Sequence, residues 1–356
     1  MEYRRLWFSA VMLGLLAGCA TNPTVTSRQL IFYPPPPAAP RIQFLVGFSV
    51  EQDLGSAKVT FAELITEEKR VSDAIDKPYG IVMRDSQVLV CDTATHAINI
   101  MDLSGQPRMQ RFAPTGLAEM RTPIGIAVDT DGTRYVADSG RQRILIYGPD
   151  EVLRAEIASD KDVMKPTGIA VKGNRLYVAD LEGSCVHVYD KDGYKPLFTI
   201  PRNPKAEQPG KLFKPVNIAL DNKGQLYVCD IASCEVQVYD TEGKHLRTIG
   251  SRGDSIGQFV RPKGIAVDSA GRVFVVDAAT QVCQIFDANG KLLLFFGEPN
   301  NTAGSLALPA GICVGEQNVA FFQKFAAPDF VVEELILITN QYGAKKVNVY
   351  GLGHKK

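Results

Sequence analysis

Short apolar runs recur along most of the chain, each closed by a cluster of Asp, Asn or Gly. Val186-His187-Val188-Tyr189 and Val236-Gln237-Val238-Tyr239 alternate apolar and polar positions with a period of two, the pattern of a strand. Tyr135–Asp138, Tyr177–Asp180, Tyr227–Asp230 and Phe274–Asp277 are continuous apolar runs ending in an acid. Gly125–Val128, Gly168–Val171 and Gly264–Val267 all read Gly-Ile-Ala-Val. The turns between them, such as Asp129-Thr130-Asp131-Gly132 and Asp221-Asn222-Lys223-Gly224, are rich in residues that tolerate positive φ. After Asp192-Gly193 and Glu242-Gly243 comes a further strand, as in Lys244–Ile249, with Lys291–Phe296 as its counterpart later in the chain. The pattern therefore predicts units of four antiparallel strands, a to d.

These units repeat. Pro-x-Gly-Ile occurs at Pro78, Pro123, Pro166, Pro262 and Pro309, with Pro215-Val216-Asn217-Ile218 as a variant copy. Asp92, Asp138, Asp180, Asp230 and Asp277 close the second strand of five copies, and Asn340 takes this place in the last. A repeat of about 40–50 residues holding four strands implies a propeller blade. The units resemble NHL repeats and cover about residues 77–351. The expected fold is all-β: a six-bladed β-propeller of NHL-type four-stranded blades spanning 40–351, followed by a tail at 352–356. The last unit ends soon after its third strand, Val347–Tyr350, whereas Arg41–Gly47 resembles an outer strand lying ahead of the first unit. The N-terminal strand is thus expected to complete the last blade and hide an exposed sheet edge.

Two segments depart from the repeat. Phe48–Lys77 is a long connection with a helix-like patch at Phe61–Arg70, read as a surface cover. An insertion near Gly315–Glu334 carries Phe321, Phe322, Phe325 and Phe330, which either pack under the ring or form an exposed patch for a partner.

The N-terminus has its own logic. Arg4 and Arg5 precede the mostly apolar stretch Leu6 to Leu16, too short for a permanent span and shaped like an export signal. Leu16-Ala17-Gly18-Cys19 resembles the lipobox of bacterial lipoproteins. That resemblance implies cleavage after residue 18, acylation of Cys19 and a tethered envelope protein. Ala20 after the cysteine implies the outer membrane if the source is diderm. Residues 19–39, with Pro34-Pro35-Pro36-Pro37, read as a stiff spacer.

Composition narrows the function classes. With 45% hydrophobic residues the chain has material for a large core, and 39 basic against 39 acidic side chains give no field for holding a nucleic acid. Read from its glycine onward, strand a offers the hub only apolar residues, Asn217 and Cys313. Six-bladed relatives that hydrolyse lactones or cleave amidated peptide precursors hold Ca²⁺ or Zn²⁺ there with oxygen and nitrogen ligands. No catalytic residue, metal or cofactor is therefore carried over. His187 and His245 read as peripheral, whereas His96 lies in a turn that reaches toward the channel mouth. Cys229 and Cys234 flank one hairpin, either free or bridged. On the face carrying the turns from d to a and from b to c, Lys77, Lys165, Lys214 and Arg261 occupy equivalent places before the repeat prolines, with Arg121, Arg141 and Arg143 nearby. They form either a cationic ring for a ligand or ion pairs with the repeat aspartates.

The resulting expectation is a non-enzymatic, membrane-tethered and monomeric scaffold that binds envelope proteins through this face. The alternative is an envelope hydrolase or lyase, lactonase-like or amidating-lyase-like, with a non-standard site.

Overall fold

Six antiparallel sheets stand in a ring in the computed structural model, which describes residues 30–55, 74–158, 165–203, 205–299 and 302–356. Cys19, the signal-like segment, most of the spacer and the patch at Phe61–Arg70 lie outside the described residues. Blades 1 to 5 have inner strands Pro78–Arg84, Pro123–Val128, Pro166–Lys172, Pro215–Leu220 and Pro262–Val267. Each is followed by three strands in simple a-b-c-d order. Neighbouring inner strands pack side by side around the axis, and that of blade 6, Pro309–Gly315, closes the circle onto blade 1. No helix among the described residues is long and apolar enough to cross a membrane.

The sixth sheet contains Pro309–Gly315, Phe330–Asn340, Val347–Lys355 and Ile42–Phe48. Ile42 pairs with Leu352 and Phe48 with Val347, so the expected closing strand is in place. Ile42, Leu45 and Phe48 are fully buried, which fixes the register of this strand. Phe32–Tyr33 adds a fifth, short strand outside it. Here the structure departs from a free spacer up to residue 39: the Phe32 ring packs on Phe330 at 5.7 Å and Tyr33 on Phe296 at 5.8 Å.

The core is divided into six wedges, each filled by the facing sides of two successive blades. Both halves of the repeat motif follow from this architecture. A Cβ on Gly125 would lie 2.1 Å from the Thr167 carbonyl oxygen, and one on Gly311 2.2 Å from that of Tyr79, so glycine lets adjacent inner strands approach at the hub. The repeat aspartate is a buried staple. Asp230 accepts backbone N–H bonds from Phe213, Lys214, Ala232 and Ser233 at 2.5–3.1 Å, and Asp277 does the same for Val260, Arg261, Ala279 and Thr280 at 2.7–3.1 Å. One carboxylate thereby joins the chain entering the blade to the turn between strands b and c. In blade 6 the Asn340 carbonyl accepts from the Ala307 N–H at 3.0 Å.

The inserted segment forms a short helix, Val319–Phe322, a 3-10 turn, Gln323–Phe325, and the start of the lengthened strand Phe330–Asn340. Phe322 and Phe330 are buried in the wedge between blades 6 and 1, with Phe321 and Phe325 half-buried against it. The partner-patch reading is corrected accordingly: these rings cover the underside of the ring. Cys229 and Cys234 are free thiols, and Cys234 donates to the Val260 carbonyl at 3.3 Å instead of bridging.

Candidate active site

The two ends of the hub carry different chemistry. At the turn-bearing end, Lys77, Lys214 and Arg261 stand exposed on the rim, and among the described residues no carboxylate is in ion-pair contact with them. The expected pairing with the repeat aspartates is absent because those carboxylates are buried on backbone amides. Lys165 instead faces Glu182 at 3.9 Å. Arg141 and Arg143 turn outward to Glu156, and Arg141 also donates to the Leu117 carbonyl at 2.8 Å, so neither lines the mouth. His96 bonds the Arg121 carbonyl through Nδ1.

The residue between proline and glycine of the motif, which strand a read from the glycine onward leaves out, reaches across the hub in blades 5 and 1. Lys263 in blade 5 is 7% exposed, and its ammonium lies 4.9 Å from the ring centroid of Tyr79 in blade 1. Blade 6 stands between those blades, so the contact runs across the axis. Burial, with help from the Arg261 charge, pushes the Lys263 amine down to about 8. Thr339 donates to the Tyr79 carbonyl at 2.8 Å and holds that position in place. The hub is therefore not uniformly apolar.

At the opposite end the inner strands of blades 5, 6 and 1 run out around a cavity of about 350 Å³. Val82, Met83, Val267 and Cys313 form its apolar wall, and Asp268, Ser269, Glu316, Gln317 and Glu334 its polar one. Asp268 follows the last residue of an inner strand and caps the next turn by accepting the Arg272 N–H at 2.8 Å on Oδ1. Its other oxygen is bound by the Arg272 side chain. Glu334 arrives from the lengthened strand of blade 6 and meets the same guanidinium at 2.8 Å. Both carboxyls are at most 5% exposed. Burial first, then the adjacent Asp268 charge, pushes the Glu334 carboxyl up to about 7, with Arg272 opposing. The Glu334 carboxyl thus holds a proton that can leave or arrive near neutral pH, the requirement for general acid–base work. The wall thiol of Cys313 is pushed up by burial and so is held protonated.

Sequence reading missed Asp268 because it has the turn-capping look of Asp129 and Asp221. It missed Glu334 because an insertion has no repeat partner. The signal that was present is Lys263, the one charged residue in a hub series otherwise made of Tyr79, Ile124, Thr167, Val216 and Ala310.

The architecture is that of a six-bladed β-propeller with a cavity of mixed apolar and acidic lining beneath blades 5, 6 and 1. The NHL repeat profile matches residues 164–189, which fall in blade 3 of the six. Among curated proteins no match was found. Solved structures with a similar fold include virginiamycin B lyase from Staphylococcus aureus, at 15% identity and a TM-score of 0.54, covering 79% of this chain and 96% of that one. The gluconolactonase XC5397 from Xanthomonas campestris is 14% identical with a TM-score of 0.56, over 87% of this chain and 89% of that one. A chain of a nidogen–laminin complex is 18% identical with a TM-score of 0.51, over 72% and 92%. The expectation of a non-enzyme is overturned here. It rested on an unreactive hub, which Lys263 and the Asp268–Glu334 pair contradict, and enzymes stand among the neighbours that share the fold.

Proposed function

We propose that this chain is a hydrolase or lyase of the six-bladed propeller class that opens small cyclic esters in the cavity beneath blades 5, 6 and 1. Glu334 moves the proton, burial and then the Asp268 charge raise its affinity for that proton, and Arg272 fixes both carboxyls. The observation that carries the reading is a carboxyl held at about 7 inside a cavity of about 350 Å³, room for a molecule the size of a sugar lactone. The enzymatic neighbours, one of them a gluconolactonase, support the reaction class by fold analogy. The test is hydrolysis of a panel of sugar and acyl lactones by the wild type, Glu334→Gln and Lys263→Met. The expected result is turnover that rises through about pH 7 and falls by about 100-fold or more in Glu334→Gln. Full turnover in Glu334→Gln, or no turnover of any lactone by the wild type, overturns it.

A second reading places the chemistry at the other mouth, where the Lys263 amine at about 8 lies over Tyr79. Loss of turnover in Lys263→Met with Glu334→Gln active would select it. We also propose that the enzyme is exported and lipid-anchored through Cys19, supported by Arg4, Arg5 and the Leu16–Cys19 motif. Incorporation of labelled palmitate, lost in Cys19→Ser, is the expected result, and incorporation that survives that change refutes it.

A further inference from the structure

Away from the axis, blade 3 differs from its sister blades at one place. The first and third residues of strand c flank the repeat aspartate, and in blade 1 they are Ala97 and Asn99, with Asn99 Nδ2 donating to Asp92 at 3.2 Å. The equivalent pairs are Arg143 and Leu145, Glu235 and Gln237, and Val282 and Gln284 in blades 2, 4 and 5. Blade 3 has Cys185 and His187 beside Asp180. All three are at most 9% exposed, and one ligand-type atom from each lies within 4.8 Å of the others.

The geometry within the trio is specific. His187 Nε2 is 3.1 Å from Asp180 Oδ2 and 3.6 Å from Cys185 Sγ. One ring nitrogen faces both a carboxylate and a thiol, whereas its single proton satisfies one acceptor well. A tetrahedral ion bound at the usual zinc–nitrogen, zinc–oxygen and zinc–sulfur lengths separates nitrogen from sulfur by about 3.5 Å and nitrogen from oxygen by about 3.3 Å. The two edges from His187, 3.6 Å to sulfur and 3.1 Å to oxygen, lie close to those lengths. The other Asp180 oxygen is already oriented by the N–H groups of Lys165, Glu182 and Gly183 at 2.9–3.1 Å, so the carboxylate is held in position before any ion arrives. One thiolate and one carboxylate neutralise a divalent ion, which makes burial of the whole set electrostatically acceptable.

We propose that Asp180, Cys185 and His187 form a zinc-class metal site that clips the turn between strands b and c of blade 3, with a fourth position left to solvent. The expectation of no metal was drawn from the axial strands, and this site lies off the axis. The full-length protein, stripped with a chelator, is titrated with Co²⁺ and then Zn²⁺ alongside Cys185→Ala/His187→Asn, which recreates the blade 1 pair. The wild type is expected to take one equivalent of Co²⁺ with tetrahedral visible bands and a thiolate charge-transfer band, and to melt higher with Zn²⁺. The double variant shows neither effect, and its circular dichroism reports an intact propeller. If the double variant does not fold, His187→Asn alone is read in its place, with weakened binding expected. Absence of the thiolate band in the wild type, or metal affinity unchanged in the folded variant, overturns the proposal.

Discussion

Replacing Glu334 by Gln tests the candidate site without any substrate. Burial and the Asp268 charge raise the carboxyl from 4.5 to about 7 in the folded chain. At about 1.4 kcal/mol per pKa unit, that difference amounts to roughly 3 kcal/mol between the protonated and ionised folded states. The folded state holds the proton more tightly than the unfolded one, so this stabilisation is complete below pH 4.5 and is lost as the pH climbs through about 7. Gln mimics the protonated acid, since its carbonyl can face Arg272 and its N–H can donate to Asp268. Urea unfolding at pH 5 should then find the wild type and Glu334→Gln within about 1 kcal/mol of each other. At pH 8 the variant should be more stable by about 2–3 kcal/mol, because only the wild type must ionise a buried group. Titrating groups that do not interact with Glu334 are common to the two proteins and cancel in the difference. A gap that stays constant from pH 5 to 8 would mean that Glu334 ionises normally, and the acid–base assignment would fall with it.

Three further outcomes test the frame around the site. Gly125→Ala places a methyl 2.1 Å from a backbone oxygen that cannot rotate away, and a melt lowered by the equivalent of about 3 kcal/mol is expected; an unchanged melt contradicts the hub packing. Leu45→Ala in the closing strand removes a fully buried side chain and should destabilise by about 3–5 kcal/mol, whereas a loss under about 1 kcal/mol would show that the strand is not locked into blade 6. Lys263→Met should raise stability at pH 7, because the lysine value is pushed down to about 8 and the folded state loses stability as the pH falls through it; the gain should vanish above about pH 10.5, and a gain independent of pH refutes the desolvated-amine account.

The fold was legible because its constraints repeat. Pro-x-Gly-Ile marks the close approach of inner strands at Gly125 and Gly311, and the aspartate marks a staple of up to four amide bonds at Asp230 and Asp277. The closing strand was legible from its likeness to an outer strand. The candidate site was much less so. Asp268 performs the turn duty that its counterparts perform, using one oxygen, while the other faces Arg272, and no local pattern distinguishes the two roles. Glu334 gains its place from an insertion that matches nothing else in the chain. Sequence spacing leaves the rim cations open between a ligand ring and ion pairs with the aspartates, and the structure removes the second because backbone amides hold those carboxylates.

Blade 6 unites residues near the start of the chain with residues near its end, Phe48 lying against Val347. Five blades can assemble from neighbouring segments, but the sixth needs a loop of nearly the whole polypeptide to close, the slowest kind of contact to form. Until that meeting occurs, Val347–Lys355 has an open flank and the wedge between blades 6 and 1 lacks Leu45 and Phe48. The last wedge of the core therefore fills only when the two ends of the ring have met.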